Sequence, residues 1–120
     1  MTTPAAARRT ARAVVAGLVV LLCALFVLWH AVRFSAPTAA LAGVLGVAPW
    51  LAVGPGLWRG RHEAVATLLT APYLGYGLME LLANPGARAW AAAVVLAACA
   101  LFVALIAALR LSRRSAAAPT

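Results

Sequence analysis

The chain has 120 residues, is 66% hydrophobic, and carries ten arginines against two acids, for a net charge of +8. At 12.3 kDa and a mean hydropathy of +1.00, it leaves no room for a soluble domain beside its apolar part. The arginines lie at the ends of apolar runs, a placement that suits lipid headgroups and argues against a nucleic-acid partner.

The spacing predicts four membrane-spanning helices over 13–32, 37–58, 64–82 and 89–109. Each is long enough, at about 1.5 Å per residue, to cross the ~30 Å hydrocarbon layer. The fold expected is an all-α four-helix membrane bundle. It is flanked by a basic segment 1–12 and a basic tail 110–120, of which 112–120 is read as loose.

The first run is uniformly apolar and closes on Trp29 and His30, with Arg33 just beyond. Trp29 reads as an interface anchor. The run is too long for the 7–15-residue core of a signal peptide, so no cleavage is expected.

The second run is broken. Pro37 sits harmlessly at its start, but Pro49 lies inside and Gly54-Pro55-Gly56 follows. The regular helix is therefore expected to end near Val53. Ala39, Ala42, Gly43 and Gly46 form small-residue pairs that permit close helix approach.

The third run is the polar one. At 100° per residue, Thr70, Tyr73, Tyr76, Gly77 and Glu80 share one arc of the helix. A carboxylate facing lipid is costly, so this arc should face protein or water. Glu63, at the start of the run, is placed to favour the helix dipole. The fourth run is alanine-rich, with Trp90 at one end and a ridge of Ala93, Ala97, Ala100 and Ala104.

Arginine counting gives a topology. Arg8, Arg9, Arg12, Arg59, Arg61, Arg110, Arg113 and Arg114 fall on one side, and Arg33 and Arg88 on the other. The positive-inside rule puts both termini and the 59–63 turn in the cytoplasm. Arg59, Arg61, Arg110, Arg113 and Arg114 are then candidate contacts for lipid headgroups.

The opposite face gathers the candidate site. His30, Arg33, Glu80 and Arg88 come to similar depth, with Tyr73, Tyr76 and Gly77 on the neighbouring stripe. The arrangement reads as a polar clamp in which Glu80 pairs with Arg33 or Arg88. The other reading is a proton or ligand site. Cys23 and Cys99 fall mid-span and read as small packing residues. No catalytic residue, metal site or cofactor is expected, since no nucleophile–base pair or ligand spacing occurs.

Leu57-Trp58-Arg59-Gly60-Arg61 and Tyr73-x-x-x-Gly77-x-x-Glu80-x-x-x-x-Pro85 resemble a family of small bacterial inner-membrane proteins, domain of unknown function 2069. The likeness runs from Pro49 to Arg114. In the family a histidine commonly precedes the glycine, where this chain has Tyr76. The resemblance implies four membrane helices and assigns no activity.

Two functions of different class follow from this reading. One is a non-enzymatic subunit or scaffold of the bacterial inner membrane, forming homo-oligomers or joining a larger complex. The other is a small proton-coupled transporter using Glu80.

Overall fold

Four long helices form an antiparallel bundle. The computed structural model describes residues 3–59 and 61–117, with side chains for all of these except Pro4 and 115–117. Gly60, part of the arginine-rich turn motif, lies outside the described residues. The helices are α1 (Pro4–Arg33), α2 (Ala36–Trp58), α3 (Glu63–Ala83) and α4 (Arg88–Ala117). A single 3₁₀ turn, Pro85–Ala87, joins α3 to α4. All four helices are long and apolar enough to cross a membrane, and no strand occurs among the described residues.

Two helices run further than the apolar pattern predicts. Segment 1–12 was expected to be a separate basic stretch, yet α1 begins at Pro4. Thr3 caps it, its hydroxyl accepting from the Ala6 N–H at 3.1 Å. The tail was expected to be loose, yet α4 continues to Ala117. Alanine and arginine are both strong helix formers, so the helix persists after the hydrophobic signal stops. Each of these helices has 30 residues, about 45 Å at 1.5 Å per residue, against ~30 Å of hydrocarbon. The bundle is 56 Å long. The terminal arginines thus sit on helical projections.

The break expected at Val53 does not occur either. α2 continues through Gly54-Pro55-Gly56 to Trp58. Proline removes one N–H and leaves one carbonyl free, a defect that neighbouring helices can offset inside a bilayer. The end comes at Arg59, whose N–H bonds back to the Pro55 carbonyl at 3.2 Å.

α4 is the central element. It packs against α3 and α1, and α1 in turn packs against α2. Ala91, Val94, Ala98, Leu101 and Leu105 on α4 are fully buried. The buried face is offset from the expected alanine ridge: Ala97 is inside, but Ala100 is exposed. Gly77 lets α3 and α4 approach closely. A Cβ there would meet Val95 Cγ2 at 2.6 Å and the Ala91 carbonyl oxygen at 3.4 Å. α2 meets α3 only lightly, which leaves a lateral cleft between them. Cys23 and Cys99 are free thiols.

Candidate functional site

The α2–α3 cleft and the aromatic cluster behind it hold most of the polar chemistry within the span. Proline shapes the cleft. Pro49 of α2 and Pro72 of α3 both line it, together with Leu45, Gly46, Tyr73 and Tyr76, and it encloses about 260 Å³. Phe26 of α1 forms its floor. The Phe26 ring rests directly on Gly46, where any Cβ would collide with it. It also lies edge-on to Tyr73, with centroids 5.6 Å apart.

Two hydrogen bonds tie the helices together here. The Tyr73 hydroxyl donates to the Gly46 carbonyl across the α2–α3 boundary. This carbonyl lies three residues before Pro49 and next to the Leu45 carbonyl, which the proline leaves without its helical N–H. The second bond joins α1 to α3. His30 Nε2 and the Tyr76 hydroxyl are 3.0 Å apart.

The other ring nitrogen fixes the tautomer. His30 Nδ1 lies 2.8 Å from the Phe26 carbonyl oxygen, which can only accept, so Nδ1 carries the hydrogen. Neutral His30 then presents a bare Nε2, and the Tyr76 hydroxyl donates to it. His30 is 4% exposed and has both nitrogens satisfied. Trp29, expected at the interface, is 1% exposed. Its ring packs 5.3 Å from that of Tyr76, inside the bundle.

The stripe on α3 is inward over most of its length. Thr70, Tyr73 and Gly77 are buried, and Tyr76 and Glu80 are half-buried. The Thr70 hydroxyl donates to the Thr67 carbonyl at 2.6 Å. This local bond satisfies a threonine within an apolar span.

The expected ion pair of Glu80 with Arg33 or Arg88 is replaced by a different arrangement. Asn84 Nδ2 donates to Glu80 Oε2 at 3.2 Å. Arg33 Nη1 instead donates to the Gly86 carbonyl at 2.8 Å, and Arg88 Nε to the Leu81 carbonyl at 3.2 Å. The reason lies in how α3 ends. Its last carbonyls, and those of the 3₁₀ turn, lack helical partners, and the two guanidinium groups take them. Glu80 lies one turn back, within reach of Asn84. His30, Tyr73 and Tyr76 therefore form one cluster, while Arg33, Glu80 and Arg88 brace the α3–α4 turn.

Two features escaped the sequence reading. Trp50 is buried beside Tyr73, with ring centroids 6.0 Å apart, and its Nε1 has no hydrogen-bond partner. Glu63 starts α3 as expected, but it is 8% exposed. Ser112 of α4 donates to it at 3.4 Å. Nothing in the apolar pattern distinguishes these positions from surface ones. Arg59, Arg61, Arg110, Arg113 and Arg114 are all exposed.

The chain is thus a multi-pass membrane protein built from four helices. No curated protein and no solved structure matches it. A family model described as a predicted membrane protein, domain of unknown function 2069, matches residues 11–113, and the chain belongs to that family.

Proposed function

We propose that this protein is a non-catalytic subunit or scaffold of the bacterial inner membrane, assembling with itself or within a larger membrane complex. The observation that carries this reading is how the polar side chains within the span are used. Tyr73 is bonded to a backbone carbonyl of α2, and Tyr76 to His30 of α1. Such bonds hold helices in place; none activates a nucleophile or a bound water. Both termini and the 59–63 turn face the cytoplasm, where Arg59, Arg61, Arg110, Arg113 and Arg114 meet anionic headgroups. The outer face of α2 presents Leu41, Val44 and Leu51 to its surroundings, a surface suited to further helices.

The test is the size of the assembly in native membranes. Extraction into polymer-bounded discs, followed by mass measurement, should give a species larger than one 12.3 kDa chain. A uniform monomer would reject the proposal. Proton-coupled flux in proteoliposomes that disappears in Glu80→Gln would establish the transporter reading instead.

A further inference from the structure

We propose that the seam between α1 and α2 is a binding site for an anionic phospholipid, with one acyl chain in the seam and the phosphate on Arg12. Two cavities lie along this seam. One, of about 190 Å³, is lined by Arg12, Val19, Val20, Gly54 and Trp58 among others. The next, of about 430 Å³, begins at the same Val19 and Val20 and extends to Cys23, Val27 and Leu51. Shared walls make them one groove. It runs from Arg12 to Val27, about 22 Å along α1 at 1.5 Å per residue. That exceeds half of the ~30 Å hydrocarbon layer, so one leaflet's acyl chain fits along it.

The polarity of the groove is that of a phospholipid. Its length is walled by valine, leucine, alanine and glycine with Cys23 and Trp50, and the Trp50 Nε1 is buried away from the groove surface. Charge appears only at the mouth. Arg12 stands there just outside the apolar run that begins at residue 13, at headgroup depth. Trp58, 64% exposed, flanks it in the position of an interfacial aromatic. Glu63 is the one acid at this end, against eight arginines. It shares a small cavity with both Arg8 and Arg12, and one carboxylate cannot neutralise two guanidinium groups, so positive charge remains at the mouth for an outside anion. An arginine over a groove open to the bilayer meets the phosphate and acyl chain of one molecule together. A helix from a second copy would fill the apolar part but bring this arginine-rich end, eight arginines to one acid, against Arg12.

The experiment uses the full chain reconstituted in vesicles of equal parts phosphatidylglycerol and phosphatidylcholine. It is then extracted gently, and the lipids retained are identified by native mass spectrometry. Wild type should retain phosphatidylglycerol preferentially. Arg12→Ala should cut that preference roughly five-fold, the effect of one arginine near an anionic surface. Gly54→Leu should abolish retention of either lipid. A Cβ at Gly54 meets nothing within 4 Å, so the new side chain enters the groove and not the packed core. Gly75→Leu on α3, equally unobstructed and away from the seam, should retain lipid as wild type does.

Should Gly54→Leu not fold, a phosphatidylglycerol carrying a photoreactive group on its acyl chain decides the matter in wild type. Labelling of residues 19–27 and 47–51 supports the site, and labelling elsewhere overturns it. Unchanged retention in a folded Gly54→Leu protein also overturns it. So does a wild-type dimer that Gly54→Leu converts to monomer, which would make the occupant a second copy's helix.

Discussion

Tyr76 Oη and His30 Nε2 lie 3.0 Å apart, joining residues 46 positions distant in the chain. This bond and that from Tyr73 to the Gly46 carbonyl place the same short stretch of α3 against both α1 and α2. Tyr76→Phe keeps the ring and its stacking but leaves His30 Nε2 without a donor. Interhelical hydrogen bonds in bilayers contribute about 0.6 kcal/mol on average and up to about 1.7. A loss of about 1 kcal/mol is expected, read as a lower unfolding midpoint in mixed micelles. No change would mean that His30 is held by Phe26 alone.

The two glycines of α3 should respond oppositely. Gly77→Ala drives a methyl into Val95 and should cost about 1–3 kcal/mol, as overpacking does. Gly75→Ala meets nothing within 4 Å and should gain about 0.5–1 kcal/mol through helix propensity. Thermal unfolding of the two variants side by side checks both signs at once.

Glu80→Gln should change stability by less than about 1 kcal/mol, because the amide oxygen can accept the same bond from Asn84. A carboxylate in a buried ion pair behaves differently: breaking the pair costs about 3–5 kcal/mol. A loss of that size in denaturant titration would restore the pairing with Arg33 or Arg88.

Orientation follows from charge. Eight arginines at the end that carries the termini, against two at the other, predict a cytoplasmic C-terminus. A reporter active only in the periplasm, fused after Thr120, should be silent, and the same reporter placed in the 84–87 turn should be active. The reverse pattern would invert the topology.

The sequence by itself determined the membrane class, the number of helices and the inward stripe on α3. Each of these is a local property. A span needs about twenty apolar residues in a row, and a stripe needs polar side chains at helical spacing. Helix ends were less legible, because hydropathy marks where the bilayer begins and not where a helix stops. Thr3 caps α1, and the alanines after it carry the helix outward as readily as leucine does. Depth brought His30, Arg33, Glu80 and Arg88 to one end of the bundle, but it could not say which acceptor each donor would take. That choice fell to tertiary structure. Carbonyls left open at the end of α3 and in the 3₁₀ turn captured the two arginines, and Phe26 on Gly46 held α1, α2 and α3 in the register that joins Tyr76 to His30. A hydrogen bond depends on ångström placement and direction, and these are set by how helices distant in sequence pack.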